Sequence, residues 1–432
     1  MKICMIGTGY VGLVSGTCFA DLGNKVYCVD KDKSKINKLK NAFSPIYEPG
    51  LEDLIRNNLK AGRLVFSDDL KKAIQDSQII FICVGTPTKK GSNLVDLSQV
   101  YSVTKSISKY IKNHKIIVTK STVPVTTGDQ IEKIIGKRVK KSLFEVVSNP
   151  EFLREGEAIR DFKYPDRIVI GSNNKKIFKK MELLYEPLIK KGAKFFCSSR
   201  KGAELIKYAS NAFLATKITF INEIANLCEI AGISVEDISV GMGSDARIGS
   251  RFLRAGPAYG GSCFPKDTKG LVSIADKFNT NLSIVKSVIK SNQNRKILLT
   301  KRVSKIMNNK IKNKKIAVLG VTFKANTDDM RESSSLVLIP YLLKKGAKVS
   351  YHDPSGPKKE FNKKKNLNFV SSVNKACNGA DLIIINTEWD EFKSIDFKKV
   401  VKKSNFKIYD MRNLYNPKEL KKRKIKYYSV GR

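Results

Sequence analysis

One short stretch of the chain combines residue types that suit covalent catalysis on a carbonyl carbon. The stretch Gly260–Asp267 reads GGSCFPKD, so a thiol follows two glycines that free the backbone. Pro265 suits the first turn of a helix, and a helix beginning there would favour the Cys263 thiolate through its amides and its dipole. Lys266 adds positive charge, and Asp267 would return to the same face one turn later. These residues suit a nucleophilic cysteine, and a structural cysteine beside a loop is an equal alternative.

The chain has a strongly basic composition. Its 432 residues include 81 Lys and Arg against 40 Asp and Glu, for a net charge of +41. The lysines are spread along the whole chain without the motifs typical of nucleic-acid binding, so we expect a solvated lysine-rich surface and no nucleic-acid partner. Such a surface would still attract anionic small molecules such as nucleotides. The length exceeds one ordinary core and indicates two or three domains.

Cysteine usage and hydropathy indicate a protein of the cytosol. The eight cysteines are scattered with no CxxC pair, and the chain has only two histidines. We therefore expect neither a disulfide framework nor a metal site. No apolar run approaches the roughly 20 residues that span a bilayer, and the first residues are typical of a strand entering a glycine turn rather than of a signal peptide. We expect a cytoplasmic location and no membrane contact.

The beginning of the chain carries a dinucleotide-binding fingerprint in its required context. A strand at Lys2–Ile6 leads into GTGYVG at Gly7–Gly12, a helical run over Leu13–Leu22, a strand at Lys25–Val29 and then Asp30. The first glycine makes a tight turn, the second lets the backbone approach a pyrophosphate, and the third lets the helix pack against the strand. The amides of the helix would bind the phosphates. A carboxylate at Asp30 can accept both ribose hydroxyls and would repel a 2′-phosphate, which favours NAD over NADP.

Three further apolar runs end in polar turns, as parallel strands of the same sheet would. Ligands of an open parallel sheet bind beyond the carboxyl ends of its strands, so these turns are candidate parts of a site, with ordinary loops as the alternative. The runs are Gln78–Val84, Lys115–Lys120 and Phe144–Ser148, and the turns are Gly85–Thr88, Ser121–Pro124 and Asn149–Glu151.

A long helix is predicted next, over Gly202–Ala231. Its apolar residues follow helical spacing without a proline. About 30 residues would span roughly 45 Å, which suits a connector between domains and a dimer surface. Lys207 and Asn211 are four residues apart and would share a face, directed either into a cleft or toward solvent. Helical segments continue past Cys263 to about Lys305.

The lysine-rich stretch Asn308–Lys314 marks a boundary before a second α/β unit. Lys315–Gly320 is typical of a first strand, but the turn Gly320–Phe323 lacks a complete GxGxxG, so we do not expect this unit to bind a dinucleotide of its own. Lys324 and Arg331 suit either phosphate or sugar recognition or a surface loop. The predicted fold is α/β, with two Rossmann-like doubly wound parallel-sheet domains, residues 1–200 and 306–432. A long central helix and a helical dimerisation region, residues 201–305, join them.

Taken in this order, the motifs resemble the UDP-glucose 6-dehydrogenase family within the nucleotide-sugar dehydrogenases, from residue 1 to about 415. The resemblance rests on the glycine loop, the polar turns, the lysine–asparagine pair of the long helix and the cysteine stretch. Further motifs that carry it are Asn149–Gly156, Pro165–Gly171, Arg251–Pro257, Gly320–Ser335 and Asp410–Asn413. Two positions depart from the family pattern: Ala325 follows Lys324, and Met411 stands where glycine is commoner before Arg412.

The resemblance implies an enzyme that oxidises the C6 alcohol of UDP-glucose to a carboxylate with two NAD and without release of aldehyde. Asp267 and Lys207, with an ordered water, correspond to the group that removes the hydroxyl proton. Cys263 corresponds to a nucleophile that forms a thiohemiacetal and then a thioester, and Glu151 to the base for its hydrolysis. Lys207 and Asn211 correspond to the groups that stabilise the oxyanion at C6, and Thr122 to a residue that helps to hold the catalytic water. The implied catalytic residues are thus Cys263, Lys207, Asp267, Glu151, Asn211 and Thr122.

The same resemblance implies the residues that bind cofactor and substrate. For NAD they are Gly7, Gly9, Tyr10, Val11, Gly12, Asp30, Lys35, Thr86, Thr122, Glu155, Lys266 and Arg331. For the UDP-sugar they are Glu151, Phe152, Leu153, Lys207, Asn211, Arg247, Phe252, Leu253, Arg254, Ala255, Gly256, Gly260, Lys324 and Arg412. Arg247 reaches across a subunit interface in this family, so the resemblance implies a homodimer or a higher homo-oligomer.

Three alternatives stay open at this point. A sister enzyme acting on GDP-mannose or a UDP-N-acetylhexosamine shares the cysteine chemistry, although Asn149–Gly156 with Pro165–Arg167 resembles the UDP-glucose branch better. A hydroxyacid dehydrogenase of similar architecture would form one NADH per substrate and has no need of Cys263. A nucleic-acid-binding protein with a vestigial Rossmann domain would explain the charge.

Overall fold

The computed structural model describes residues 1–89 and 91–432. The chain forms two compact units, and each is built around one sheet. The first unit comprises Met1–Ser210 with Ser273–Thr280, and the second comprises Asn211–Val272 with Asn281–Arg432. One helix of 32 residues begins in the first unit and ends in the second. The domain limits given above at residues 200 and 305 stay a prediction.

The first unit contains a doubly wound sheet. Its strands are β1 (Lys2–Ile6), β2 (Lys25–Val29), β3 (Leu64–Ser67), β4 (Ile79–Ile82), β5 (Lys115–Thr119), β6 (Phe144–Ser148), β7 (Arg167–Gly171) and β8 (Lys194–Ser198). They lie in the order β3-β2-β1-β4-β5-β6-β7-β8. Neighbours run parallel except β6 and β7, which meet antiparallel at Ser148 and Gly171. Because β2 and β4 lie on opposite sides of β1, the winding reverses there and leaves a crevice at the carboxyl end of β1.

Helices connect these strands and bury both faces of the sheet. They are α1 (Tyr10–Asp21), α2 (Lys33–Lys40), α3 (Leu51–Lys60), α4 (Leu70–Asp76), α5 (Ser98–Tyr110), α6 (Thr127–Gly136), α7 (Ala158–Lys163), α8 (Lys175–Ile189) and α9 (Arg200–Ala231), which continues into the second unit. Alternate residues of β1 enter different cores: Ile3 and Met5 pack in one apolar cluster, and Cys4 and Ile6 pack in another. Burial on both faces explains why the parallel strands read as continuous apolar runs.

The second unit contains an entirely parallel sheet. Its strands are β9 (Lys315–Leu319), β10 (Lys348–His352), β11 (Leu367–Phe369), β12 (Leu382–Ile385), β13 (Lys407–Asp410) and β14 (Lys426–Ser429), in the order β11-β10-β9-β12-β13-β14. The helices that follow α9 along the chain are α10 (Val235–Gly243), α11 (Phe264–Lys277), α12 (Ser283–Ile306), α13 (Ser335–Lys344), α14 (Val373–Cys377), α15 (Phe397–Val401) and α16 (Pro417–Lys422). The fold is α/β with one mostly parallel sheet, one entirely parallel sheet and a long central helix, in agreement with the predicted fold class.

Most predicted elements are confirmed, with small shifts of their ends. Strands β1, β2 and β6 have their predicted limits, and α9 begins two residues before the predicted Gly202. Helix α1 begins at Tyr10 rather than Leu13, because the Gly9 carbonyl already accepts the Leu13 amide. Five strands, β3, β7, β8, β11 and β14, were not predicted. All of them except β7 lie at the edges of the two sheets, where no continuous buried run marks a strand.

Neither a membrane-spanning helix nor a cluster of metal ligands is present in residues 1–89 and 91–432. No helix in this part of the chain is both long and apolar enough to cross a membrane. The described residues also contain no group of three or more His, Cys, Asp or Glu side chains placed to hold a metal ion. The eight cysteines are free thiols.

Candidate active site

The loop between β1 and α1 has the geometry that a dinucleotide pyrophosphate requires. Gly7 adopts a φ of 98°, which is open to glycine and strained for other residues. A Cβ on Gly12 would lie 1.9 Å from the Gly7 carbonyl oxygen, so helix and strand approach this closely only because Gly12 has no side chain. A Cβ on Gly9 would meet no atom within 4 Å. The open space at Gly9, beside the first amides of α1, therefore fits a phosphate group.

Asp30 lies directly after β2, beside the glycine loop. Its Oδ2 accepts the Thr8 amide at 2.9 Å, the Thr8 hydroxyl at 2.8 Å and the Lys35 ammonium at 3.1 Å. Burial raises the pKa of this carboxyl, but these bonds and one from the Asp32 amide outweigh burial and lower it to about 2. Asp30 is therefore charged at neutral pH, which suits acceptance of ribose hydroxyls and disfavours a further phosphate. The loop and Asp30 together fit NAD.

Three hydrogen bonds hold the other turns that were predicted to contact the cofactor. The Thr86 hydroxyl donates to the Thr122 carbonyl at 2.9 Å, which links the turns after β4 and β5. The Tyr10 hydroxyl donates to the Glu48 carboxylate and accepts the amide that follows Glu155 at 2.8 Å, which links the start of α1 to that turn. These bonds hold the turns around the carboxyl ends of the central strands of the first sheet.

A buried carboxylate–ammonium pair lies just beyond β6. Lys207 Nζ is 3.4 Å from Glu151 Oε1, and neither side chain is more than 5% exposed. The Leu153 amide donates to Glu151 Oε2 at 2.6 Å and so fixes the second oxygen. The Phe152 ring centre is 5.1 Å from Lys207 Nζ and 4.1 Å from Arg167 Cζ, within the range of cation–π contacts. The structure thus brings the predicted base into contact with a predicted oxyanion-binding lysine.

Cys263 occupies the position that caps the N-terminus of α11. Its carbonyl accepts the Asp267 amide at 2.8 Å, and the helix begins at Phe264 with Pro265 as its second residue. The thiol is half-buried, with its sulfur 3.5 Å from the Ser262 hydroxyl oxygen. A thiol in this position lies at the positive end of a helix dipole, which favours the thiolate. The predicted helix start at the cysteine is confirmed.

Asp267 is buried one turn after Cys263, with both carboxylate oxygens engaged. Its side chain is 1% exposed, Oδ2 accepts the Asn211 amide at 2.6 Å, and Oδ1 accepts the Lys266 ammonium at 2.6 Å. Lys207 and Asn211 are one turn apart on α9, and each contacts a different one of the predicted carboxylates.

The two glycines before the thiol are required by a close neighbour in the second unit. Gly261 has a φ of 80°, and a Cβ there would lie 2.7 Å from the Phe323 ring. A Cβ on Gly260 would lie 2.8 Å from the Glu332 carbonyl oxygen. The Gly261 amide donates to the Arg331 carbonyl at 2.8 Å. The cysteine stretch therefore lies against the loop that follows β9.

Buried asparagines that the sequence analysis missed fix the loop before the cysteine stretch. Asn222 accepts the Gly256 amide at 2.8 Å. Asn292 accepts the Tyr259 amide at 2.9 Å and donates to the carbonyl of the same residue at 3.0 Å. Asn222 follows Asn211 by about three turns on one face of α9, and this spacing was a signal that could have indicated it.

Within this loop, the predicted substrate residues differ in which of their atoms a ligand can reach. Leu253 and Ala255 are 3% and 4% exposed and belong to the apolar core of the second unit. Phe252 has a φ of 68° and a ring centre 6.1 Å from that of Phe264. We infer that Leu253 and Ala255 can contact a ligand only through their backbone, whereas Phe252 presents a partly exposed ring.

Arg412 is the centre of a polar cluster beyond β13. Its guanidinium donates to the Phe323 carbonyl at 2.7 Å and pairs with Glu388 at 2.7 Å. Arg254 donates to the Arg412 carbonyl at 2.9 Å, and a Cβ on Gly256 would lie 3.5 Å from the Arg412 guanidinium. Three of the predicted substrate residues therefore meet here. Burial lowers the pKa of Arg412 from its usual value.

The remaining predicted cations make local contacts. Lys324 Nζ is 5.9 Å from the centre of the Phe323 ring, and Arg331 pairs with Asp329 at 2.8 Å. Arg247 pairs with Asp245 at 2.6 Å, and its side chain is 89% exposed.

Three consecutive family models match the chain. They describe the NAD binding domain, the central domain and the UDP binding domain of the UDP-glucose/GDP-mannose dehydrogenase family, over residues 1–189, 201–294 and 317–417. Among curated relatives, the UDP-glucose 6-dehydrogenase of Rhizobium meliloti (strain 1021) is 48% identical over 100% of both chains. That of Pseudomonas aeruginosa (strain PAO1) is 40% identical over 100% of this chain and 98% of its own.

Solved structures of similar proteins share the fold over nearly the full length. A UDP-glucose dehydrogenase from the archaeon Pyrobaculum islandicum has a TM-score of 0.90 at 32% identity, covering 99% of this chain and 97% of that chain. A UDP-D-ManNAc dehydrogenase from Pyrococcus horikoshii has a TM-score of 0.87 at 25% identity, covering 100% and 99%. The glycine loop and Asp30 thus lie in an NAD-binding domain, and the chain belongs to the UDP-glucose/GDP-mannose dehydrogenase family.

Proposed function

We propose that the protein oxidises UDP-glucose at C6 to UDP-glucuronate and reduces two NAD per sugar. The observation that carries this proposal is the placement of Cys263 at the start of α11, with Asp267 one turn later and bonded to Asn211. A two-electron oxidation of an alcohol needs no nucleophile, whereas oxidation to the acid is helped by covalent capture of the aldehyde. Curated UDP-glucose 6-dehydrogenases that match the whole chain at 40–48% identity support UDP-glucose as the substrate.

In the first oxidation, residues of the chain remove the proton of the C6 hydroxyl and stabilise the negative charge that develops on its oxygen. NAD, when bound at the glycine loop, supplies the hydride acceptor for both oxidations. The hydroxyl proton passes to a water held by Asp267 and Lys207. The Lys207 ammonium and the Asn211 amide donate to the oxygen as its negative charge develops. Donors that are already oriented do not have to reorganise during the reaction, so they stabilise the transition state more than water does.

Cys263 then captures the aldehyde. Its thiolate sulfur bonds to the carbonyl carbon, and the carbonyl oxygen takes up a proton to give a thiohemiacetal. This carbon still carries one hydrogen, which leaves as hydride in the second oxidation while the hydroxyl loses its proton, and a thioester results. The position of the thiol at a helix N-terminus favours the thiolate that the attack requires.

Glu151 serves as the base in hydrolysis of the thioester. Water bonds to the carbonyl carbon, its proton passes to the Glu151 carboxylate, the C–S bond breaks, and the Cys263 thiolate returns. The Leu153 amide holds Oε2 and the Lys207 ammonium compensates the buried charge at Oε1, so the carboxylate keeps one orientation. Thr122 helps to hold this water.

We assign the uridine diphosphate to the cations and the aromatic ring of the second unit. Arg254, Lys324 and Arg412 complement the diphosphate, and Phe252 supplies an apolar face. Backbone groups of Leu253 and Ala255 can add hydrogen bonds, since their side chains are buried. This assignment agrees with the match of residues 317–417 to a UDP binding domain.

We further propose that the protein is a homodimer in which Arg247 of one copy reaches the substrate of the other. Helices α9, α10 and α12 expose large apolar side chains, and such patches mark interaction surfaces. The most exposed are Phe213 at 66%, Leu227 at 62%, Ile230 at 88%, Val240 at 72% and Ile284 at 68%. The enzyme is expected to act in the cytosol, where its free cysteines stay reduced.

A panel of nucleotide sugars tests the substrate and the stoichiometry together. Purified protein with NAD is given UDP-glucose, GDP-mannose or a UDP-N-acetylhexosamine, and NADH and product are counted. We expect two NADH and one UDP-glucuronate per UDP-glucose. Activity restricted to another sugar would assign the protein to a sister enzyme, and one NADH per sugar would remove the proposed role of Cys263.

A further inference from the structure

A buried lysine that the mechanism above does not use lies at the carboxyl end of β5. Lys120 follows that strand directly and is 5% exposed. Its ammonium donates to Asn149 Oδ1 at 3.2 Å and to the Tyr185 hydroxyl at 3.4 Å. Both of these partners are neutral. A buried ammonium is costly unless charges or hydrogen bonds compensate it, so its retention here calls for a role.

Asn149 connects this lysine to the Glu151 carboxylate. The Tyr185 hydroxyl donates to Asn149 Oδ1 at 2.5 Å, and the Asn149 amide donates to the Val169 carbonyl at 2.9 Å. The Asn149 side chain is thus held by Lys120, Tyr185 and the backbone of β7. Glu151 is only two residues further along, and the intervening proline restricts the backbone on its N-terminal side. A shift of Asn149 would therefore be transmitted to Glu151.

The ionisable groups that act on the Lys120 ammonium belong to the same region. Glu151 stabilises the charged form, as does the Cys83 thiol at the end of β4, and Lys207 opposes it. Burial has the largest effect and lowers the pKa of Lys120 to about 8. At neutral pH the Glu151 carboxylate therefore has two ammonium groups near it. Such surroundings favour a water that loses its proton and an oxygen that gains negative charge.

We propose that Lys120 is a positioning residue for Glu151: it orients the Glu151 carboxylate through Asn149, and its charge makes the surroundings of that carboxylate cationic during thioester hydrolysis. This inference rests on the proposed function. The affected step is the last one, in which water bonds to the carbonyl carbon and the bond to Cys263 breaks.

Lys120→Met tests the proposal, since it removes the charge and the hydrogen bonds but keeps a similar length. We expect hydrolysis of the Cys263 adduct, followed by mass spectrometry of quenched single turnovers, to slow at least about tenfold. The first NADH burst and the KM for UDP-glucose should change less than about twofold, because neither depends on Glu151 as a base. If Lys120 had only a structural role, the substitution would slow hydrolysis, reduce the first NADH burst and change the KM for UDP-glucose together.

Lys115→Met is a matched control at the other end of the same strand. Lys115 begins β5, is 2% exposed, and donates to the carbonyls of Gln75 at 2.9 Å and Ser77 at 2.5 Å. Its substitution removes an equally buried ammonium from a place far along the strand from Asn149. We expect this variant to lose stability and to keep the hydrolysis rate of the parent.

The pH dependence gives a second test, which needs no substitution. Burial lowers the pKa of Lys120 to about 8, so hydrolysis of the adduct in the parent should slow as the pH rises through that value. Lys120→Arg keeps the charge at higher pH, so the decrease in the hydrolysis rate should begin at a higher pH in this variant than in the parent. Hydrolysis that does not slow in the parent above pH 8, or that stays within about twofold of the parent in Lys120→Met, overturns the proposal. A parent without activity on UDP-glucose would instead refute the proposed function.

Discussion

The Asn211 side-chain amide donates a hydrogen bond of 2.6 Å to the Asp267 carboxylate, and neither residue is more than 5% exposed. This bond joins α9 to α11 one turn after Cys263. The other Asp267 oxygen accepts the Lys266 ammonium at 2.6 Å. The carboxylate therefore stays compensated where water is excluded, and it is held in one orientation relative to the start of α11.

Asn211→Ala should impair catalysis more than it impairs folding. It removes the bond to Asp267 and a proposed donor to the C6 oxygen, so we expect kcat to fall by about 10²–10³-fold. The free energy of unfolding should fall by about 1–3 kcal/mol, because a buried carboxylate loses a partner. Asn222→Ala removes another buried amide of α9 and should mainly raise the KM for UDP-glucose. A kcat of Asn211→Ala within about threefold of the parent would contradict the assigned role.

Cys263→Ser should stop the reaction before product is released. The weaker nucleophile leaves the sugar at the aldehyde level or as a covalent adduct, so steady formation of UDP-glucuronate should cease. Chromatography of the nucleotide sugars and the count of NADH per sugar measure this. Cys197→Ser is the control, because Cys197 is an exposed thiol on the edge strand β8, and it should leave turnover unchanged. Full turnover by Cys263→Ser would overturn the mechanism.

Alanine at Gly9 and at Gly12 should separate cofactor binding from folding. A Cβ on Gly9 meets no atom within 4 Å, whereas one on Gly12 lies 1.9 Å from the Gly7 carbonyl oxygen. Gly9→Ala should therefore keep the melting temperature of the parent and raise the KM for NAD, because the methyl group enters the space for the pyrophosphate. Gly12→Ala should lower the melting temperature as well. Equal melting temperatures of the two variants would argue against this packing.

Glu204 should make stability depend on pH in a defined direction. Its carboxylate accepts the Thr126 amide at 2.8 Å and the Gly128 amide at 2.7 Å at the start of α6. Burial outweighs these bonds and raises the pKa to about 7. Since an unfolded glutamate titrates near a pKa of about 4.3, the folded state binds the proton more tightly between these values. Stability from this group is present at acid pH and is lost as the pH rises through 7.

Urea denaturation of the parent and of Glu204→Gln at a series of pH values checks this. The free energy of unfolding of the parent, relative to the variant, should fall by up to roughly 1.4 kcal/mol per pH unit between about pH 4.5 and 7. A relative stability that rises over this window would show that the folded carboxyl has a lowered pKa instead.

Mixing two inactive variants should restore activity if Arg247 serves the neighbouring copy. Arg247→Ala lacks the side chain that is proposed to reach the partner's substrate, and Cys263→Ala lacks the proposed nucleophile. Each homodimer should therefore be nearly inactive. A mixed dimer contains one site with both groups intact, and we expect up to about a quarter of the parent activity per total protein after subunit exchange. Analytical ultracentrifugation reports whether dimers form. No recovery in proven mixed dimers would place Arg247 outside the partner's site.

The local signals of the sequence were sufficient for several parts of the site. The glycine loop with Asp30 could be predicted because a tight turn, a close helix–strand contact and a strand end each impose a residue type at a fixed spacing. The start of α11 at Cys263 could be predicted for the same reason, from two glycines and a proline. Lys207 and Asn211 could be placed on one face because helical periodicity is local.

Burial decides between sites that look alike in sequence. Asp353 lies just after β10 and five residues before Lys358, as Asp30 lies just after β2 and five residues before Lys35. The Asp353 side chain is 0% exposed and accepts the amides of the turn after β9, so it stabilises that turn. The incomplete glycine motif alone argued against a dinucleotide site there, and the burial of Asp353 adds a second, structural reason.

The sequence by itself determined the two α/β sheets, the cofactor loop and the start of α11 at Cys263, because each depends on neighbours within about one helical turn or one strand. Only the tertiary structure decided which buried polar groups meet. Asn222 and Gly256, Lys120 and Asn149, and Asn211 and Asp267 are far apart along the chain. Their pairing follows from the need of every buried polar group for a partner. Packing between distant elements brings these partners together, and local residue spacing in the sequence does not predict that packing.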